Sequence, residues 1–516
     1  MKQAIGFDAK RTALALAIAA LLAGCGGGGG GGGSAAGTPV ATAPAAPATG
    51  TGTGTTPVQA AVTFANVSVH DPDVSKFGET YYVFGSHLAA AKSADLMNWT
   101  KIADGVTDAN PLFDKVTTAL AETFAWAQVT DLWAPAVMRL DDGRYYMVYD
   151  ACKGDSPRSA MGVAVADKPE GPYADKGVIL KSGMWNETSP DGTVYDAQKH
   201  PNTVDPNLFK DAAGKLWMVY GSYSGGIFVM QMDPATSLPK PGQGYGKHLM
   251  GGNHARIEGA YVLYSPESKY YYLFTSWGGL AADGGYNLRV ARATSPDGPY
   301  LDAAGRDMAD VKADPAKPLF DDASIAPYGQ KLMGNYQFAQ ASGETGAQVG
   351  YVSPGHNSAR YDAATNQYFL VFHTRFPGQG EYHELRVHEM FINADGWPVA
   401  APLRYVPLSK SPTTLAASVS AADAAGTYKF VNHGKDISAA IKASSTVTLA
   451  AGGAVAGGAS GTWTHDGDNR VSLVLDGVTY SGVLSRQWNP NANAFTVTFS
   501  AQSKTGVSVW GVRTGA

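Results

Sequence analysis

Three acidic motifs stand at matching points of a pattern that recurs along the chain: His70-Asp-Pro-Asp-Val74, Val204-Asp-Pro-Asn-Leu208 and Glu258-Gly-Ala-Tyr-Val262. Carboxyl groups gathered at one place can divide proton transfers between them. One protonates a leaving oxygen while another takes a proton from water or attacks directly, which is the minimum equipment for opening a bond between sugars. A third carboxylate beside the acid raises the acid's pKa, because a second negative charge disfavours ionisation. Asp71, Asp205 and Glu258 supply that number, and Asp73, on the same face of an extended strand as Asp71, competes for a role. An Asp before Pro also caps turns. The common place of these residues within a repeat is what favours chemistry, since matching repeat positions are matching places in space.

The repeat has five units. Pro72 leads to the aromatic run ending at Phe84, Pro206 to Tyr220 and Ala260 to Phe274, over nearly equal intervals. Trp133-Ala-Pro-Ala-Val137 leads to Tyr146-Met-Val-Tyr149, and Gly355-His-Asn-Ser358 leads to Phe369-Leu-Val-Phe372. Constant internal spacing with variable loops predicts an all-β, five-bladed β-propeller. The first strand of each blade then lines the central axis, where Asp71, Asp205, Glu258 and His356 converge. His356 is there either a structural histidine or a metal ligand close to carboxylates.

The composition agrees. In 516 residues there are 62 Gly and 29 Pro, 10% aromatic and only 16% charged side chains, which suits a turn-rich β protein. A net charge of -5 offers no basic face for nucleic acid. Residues 1–25 read as an export signal: Lys2, Lys10 and Arg11 precede an apolar run from Thr12 to Ala23, too short to span a bilayer, that ends in Leu22-Ala-Gly-Cys25. That ending resembles a bacterial lipobox with Cys25 as the lipidated residue. Residues 26–60 form a Gly/Ala/Pro/Thr tether without a charge, expected to be disordered. Cys152 is then the only other cysteine, so no disulfide framework exists.

The propeller is assigned to residues 61–407, a linker to 408–425 and a small antiparallel barrel or sandwich to 426–516. Within the last, Thr427–Phe430, Val471–Leu475, Val478–Tyr480, Phe495–Phe499 and Val507–Trp510 alternate as strands, with a hairpin signal at Asp476-Gly477 and a short helix expected at Ile437–Lys442. His465-Asp-Gly-Asp-Asn469 lacks the further ligands of a calcium loop and reads as a polar turn.

The stretches Asn202-Thr-Val-Asp-Pro-Asn-Leu208, Trp217-Met-Val-Tyr-Gly-Ser-Tyr-Ser-Gly-Gly226, Arg256-Ile-Glu-Gly-Ala-Tyr261, Pro354-Gly-His-Asn-Ser358 and Phe372-His-Thr-Arg-Phe-Pro377 resemble glycoside hydrolase family 43, and within it the two-domain endo-α-1,5-L-arabinanases. The resemblance covers Asn66 to the C-terminus. It implies an inverting hydrolase of arabinan, the side chain of pectin, with Asp71 as general base, Glu258 as general acid and Asp205 as the modulator that raises the acid's pKa and orients it. It implies one Ca2+ near the centre, on His356 and otherwise held largely through water. It also implies sugar contacts from Asp71, Trp133, Gly154, Asn202, Thr203, Val204, Asp205, Ser222, Tyr223 and Ser224. Ala260 stands where the family usually has Pro and Ala136 where it has Asp, and Asp150-Ala-Cys-Lys-Gly-Asp155 departs from its Ser-rich form. The expectation is thus a monomeric, extracytoplasmic enzyme touching the membrane only through its N-terminal lipid. The rivals are an exo-acting arabinofuranosidase or β-xylosidase of the same family, and a lipoprotein that only binds polysaccharide.

Overall fold

The computed structural model describes residues 62–515. The signal segment, Cys25 and the tether lie outside them, and no helix among the described residues is long and apolar enough to cross a membrane. Four antiparallel sheets of four strands follow one another, each a simple meander in chain order. Their first and second strands are Asp73–Phe77 and Thr80–Gly85, Trp133–Arg139 and Tyr145–Cys152, Asn207–Lys210 and Leu216–Tyr220, and Ile257–Tyr264 and Tyr271–Trp277. A fifth sheet is built on Gly350–Asp362, Gln367–Arg375 and His383–Ile392.

The second strands are nearly continuous apolar runs because a blade is buried on both faces by its neighbours. Five hydrophobic clusters fill the five seams. Phe84, Val137 and Met147 join the first blade to the second, and Val148, Leu208 and Met218 the second to the third. Val219, Ile257 and Leu273 fill the next seam, and Phe274, Val290 and Leu370 the one between the fourth and fifth blades. Val74, Val83, Phe369 and Val371 close the ring. Among the described residues no strand is shared across this closing seam. Side-chain packing seals it, helped by Val74 N–H donating to Ser358 Oγ at 3.0 Å, Lys76 Nζ to Asp362 Oδ2 at 2.8 Å and Leu385 N–H to the Val67 carbonyl at 3.0 Å.

The C-terminal strands form a closed eight-stranded barrel, with Gly426–Asn432 pairing both Ser445–Leu449 and Ser508–Arg513. Asp476-Gly477 is the expected tight hairpin, both residues at positive φ, and the polar turn ends in a second pair of that kind at Asp468 and Asn469. The helix expected at Ile437–Lys442 does not form. Its backbone is captured by the propeller instead: Lys331 Nζ donates to the Asp436 carbonyl at 2.6 Å and Asn335 Nδ2 to the Ala439 carbonyl at 3.0 Å. Lys442–Ala443 then pairs in parallel with Tyr336–Gln337 and so becomes the sixth, edge strand of the fifth sheet.

A second tie between barrel and propeller is ionic. Lys429 Nζ lies 2.6 Å from Glu344 Oε2, with the two side chains only 6% and 7% exposed, and Asn489 Nδ2 donates to the other carboxylate oxygen at 3.0 Å. Burial pushes the Glu344 carboxyl up, but the bonds from Lys429 and its neighbours hold it below its usual range. The pair therefore contributes fully at neutral pH, and its contribution fades as pH falls through the carboxylate range. Lys429→Met should destabilise by roughly 3–5 kcal/mol by leaving a buried charge unpaired. Denaturant unfolding would read the loss, and adding Glu344→Leu should recover most of it.

Candidate active site

The axial residues do not sit on regular first strands as expected. Asp71 and Asp205 occupy left-handed turns, at φ 53° and 55°, immediately before the prolines that lead into Asp73–Phe77 and Asn207–Lys210. Glu258 lies within its strand, but the pairing register shifts between Glu258 and Tyr261, and His356, at φ 43°, is the residue left over in the second of two register shifts of its own strand, between Gly355 and Asn357. Regular strands would send alternate side chains into the two neighbouring seams; these irregularities turn them toward the axis instead. Left-handed backbone is tolerated by Asp better than by most residues and persists only where the surroundings enforce it. Two glycines make the crossing possible. A Cβ on Gly259, at φ 59°, would press on His356 at 3.2 Å, and one on Gly355 would fall 1.9 Å from the Tyr286 ring.

Asp71 is held by imidazoles. His70 Nδ1 lies 2.7 Å from its Oδ2 and His356 Nδ1 3.1 Å from its Oδ1, while Ser86 Oγ donates to Oδ2. Burial pushes this carboxyl up, yet the positive charge of His356 and then of His70 holds it well below the usual range. The reciprocal effect lifts His356 to about 10: burial opposes its charge, but Asp71 and Asp205 favour it. Asp205 is pushed up, first by burial and then by Glu258 and Asp71, against the pull of His356; Gly259 N–H donates to its Oδ2 at 3.3 Å. Glu258 accepts from Tyr286 OH at 2.7 Å and from Ser222 Oγ at 2.9 Å, one donor on each oxygen. Asp150 is fully buried beside this group with no side-chain partner on either oxygen, and burial followed by the charge of Asp205 pushes it well up against the opposing Asp205 backbone N–H.

These groups face a cavity of about 510 Å³. Trp133, Gly154, Asn202, Val204, Ser222, Tyr223 and Ser224 line it with Asp71, Asp205, Glu258 and His356, as the sequence suggested. Thr203 does not: fully buried, it turns its hydroxyl to the Ser159 carbonyl and to Ser182, because the wall behind Asn202 needs those partners. Asp73 is also withdrawn. Its Oδ2 accepts Val137 N–H at 2.9 Å, which ties the first blade to the second. Motif reading missed Trp185, Leu319 and Phe320 on the wall, and Tyr286 and Ser86 behind the carboxylates. Only His70, adjacent to Asp71, was within reach of a motif.

Among the described residues, His70, Asp71 and His373 bring ligand atoms within 4.8 Å of one another. The His70 and His373 rings are stacked, however, with centroids 3.9 Å apart and an angle of 22°, so their in-plane lone pairs run side by side rather than meeting. His373 Nδ1 already accepts Asp71 N–H at 3.2 Å. This trio steadies Asp71 and is no chelate. A cation fits better against His356, where buried carboxylates outnumber the imidazoles and Asp150 has no side-chain partner.

A propeller whose axis gathers carboxyl groups from successive blades beneath an aromatic-walled cavity defines the class, a glycoside hydrolase. The chain belongs to glycosyl hydrolases family 43, whose model matches residues 63–323, and the model of a C-terminal lipocalin-like domain matches residues 402–511. It is similar to extracellular endo-α-(1→5)-L-arabinanase 2 of Bacillus subtilis, 56% identical over 87% of this chain and 93% of that protein. It is 47% identical to the extracellular endo-α-(1→5)-L-arabinanase of Thermotoga petrophila, over 87% of this chain and 94% of that one. A crystal structure of a family 43 protein from Bacillus licheniformis superposes with a TM-score of 0.83 at 56% identity, covering 89% of this chain and all of that one.

Tyr286→Phe keeps the ring that fills the space beside Gly355 and removes only the hydroxyl on Glu258. Hydrolytic turnover should fall by about 10- to 100-fold, the worth of a buried bond to an ionisable group, with the melting temperature nearly unchanged. Turnover equal to wild type would show that Ser222 alone positions Glu258.

Proposed function

We propose that this protein is an endo-arabinanase that hydrolyses α-1,5-L-arabinofuranosyl bonds within arabinan by single displacement with inversion. The observation that carries the reading is the meeting of Asp71, Asp205 and Glu258 at one cavity, in environments that set them apart electrostatically. Asp71, kept ionised by His356 and His70, takes the proton from the attacking water. Glu258 protonates the departing O5 of the next arabinofuranosyl unit. Asp205 lies close enough to Glu258 for their charges to oppose each other, which after burial pushes the Asp205 carboxyl up, and the Gly259 N–H, from the residue next to the acid, fixes Asp205 beside it. Ser222 can either donate to Glu258 or accept from it, so it serves both protonation states.

Asn202, Ser222 and Ser224 offer amide and hydroxyl groups to furanose hydroxyls, and Trp133, whose indole N–H is occupied by the Cys152 carbonyl at 3.0 Å, offers its ring. A calcium ion near His356 would be held by that imidazole in its neutral form, the ion's charge taking the place of the ring's proton beside the carboxylates, and, through water, by Asp71, Asp150, Asp205 and Glu258. Carrying the ligands on water reconciles a preference for oxygen with a histidine site. When bound, the ion supplies positive charge that balances the axial carboxylates. The N-terminal signal and Cys25 support an extracytoplasmic lipoprotein whose tether lets the catalytic domain reach polymer.

Product sizes test the mode of attack. Linear arabinan should give a ladder of oligosaccharides at early times with a rapid fall in viscosity; arabinose as the sole early product would favour the exo-acting reading.

Removal of the metal tests the second component. Chelation and His356→Ala should each depress turnover, leave the circular dichroism spectrum intact, and add little when combined, because they disturb one unit. Full activity in protein proved metal-free by elemental analysis would leave His356 only its contact with Asp71.

A further inference from the structure

Of the ten tryptophans, Trp185 alone is among the exposed large apolar side chains, with 46% of its surface open. It stands on the wall of the axial cavity, in the segment joining the second blade to the third. It is a member of none of the hydrophobic clusters of the blades. Its ring neighbour is Tyr195, met at 5.3 Å between centroids and 76° between planes, an edge-type contact rather than a stack. Tyr195 is itself fixed, buried in the seam between the second and third blades with its hydroxyl on the Pro201 carbonyl at 3.2 Å. The indole is therefore met by a firm support while nearly half of its surface stays open beside the cavity.

A single exposed apolar residue needs no explanation. Trp185 is not single. Leu319, 37% exposed, and Phe320 line the same cavity from a different segment, between the third and fourth strands of the fourth blade. Two segments on different blades thus place apolar surface around the carboxylates, beyond the residues that would touch the bond being cut. A flat indole carries a large contact area at little conformational cost, and it suits the C–H face of a neutral sugar whose hydroxyls point to polar neighbours. Asn202 and Ser156 provide such neighbours on the same wall.

We infer that Trp185 is a stacking platform for an arabinofuranosyl unit remote from the scissile bond, and so a residue that sets the enzyme's preference for long chains. The inference rests on the arabinanase reading above and deepens it. Contact with a remote unit is made only by a substrate long enough to reach it, so loss of the platform must discriminate by chain length.

The test compares wild type, Trp185→Ala and Trp185→Phe on linear α-1,5-arabinan and on the shortest arabino-oligosaccharide that wild type cleaves measurably. For Trp185→Ala, kcat/KM on the polymer should fall by about tenfold, mainly through KM. The short substrate should be cleaved as by wild type, and Trp185→Phe should retain most of the polymer activity. Equal losses on both substrates, or no loss on either, would overturn the platform. An enzyme inert on arabinan would overturn the arabinanase reading and the platform with it, whereas an active enzyme with an unchanged ratio of long to short substrate overturns the platform alone.

Discussion

Burying several carboxyl groups within one small volume is the constraint that governs this structure. Each loses hydration and each opposes the charge of the others, so they cannot all be ionised without compensation. The protein answers with imidazole rather than with Lys or Arg. His356 and His70 flank Asp71, and His356 also faces Asp205. A long, flexible cation would occupy the volume that a sugar needs; an imidazole delivers charge from a compact, stiff ring and leaves the cavity open. Asp71 is thereby stabilised as an anion while Asp205 is pushed toward protonation, although both rise from the same kind of turn before proline. Environment separates two residues that the sequence presents as equivalents.

Holding such a cluster demands a rigid frame, and the five seams supply it. Each blade is packed on both faces by large apolar side chains, and the seam that completes the ring is of the same kind as the others. The axis carries irregular backbone of its own: the left-handed Asp71, Asp205 and His356 and the register shifts around Glu258 and His356. Strain of order 1–3 kcal/mol for each such residue persists only if its surroundings over-determine it. Regular blades outside make irregular turns inside affordable.

The sequence made the blades legible because their second strands are aromatic runs at a constant interval after an acidic or glycine-bearing motif. It placed Asp71, Asp205, Glu258 and His356 at one axis for the same reason. It did not reveal that two of these lie in turns, since a motif reports position in a repeat and not backbone conformation. Tyr286 was invisible because it occurs in no repeated motif, and only the crossing of Gly355 beneath its ring brings its hydroxyl to Glu258. Thr203 was misplaced because its neighbour Asn202 reaches the cavity and alternation turns the next side chain away. The helix expected at Ile437–Lys442 failed because its carbonyls found partners in the propeller, a tertiary effect that local propensity cannot register.

The strand Lys442–Ala443 belongs by sequence to the barrel's stretch of the chain and by pairing to the propeller's fifth sheet, and Trp510 and Val431 of the barrel lie in the same core as Phe372 and Leu370. The two halves consequently share hydrophobic interior as well as a hydrogen-bonded edge. Such a protein is not a bead on a string whose second bead can be traded for another. Any lineage that exchanged the barrel would also have to rebuild the fourth and fifth blades, so the catalytic ring and its companion are bound to change together.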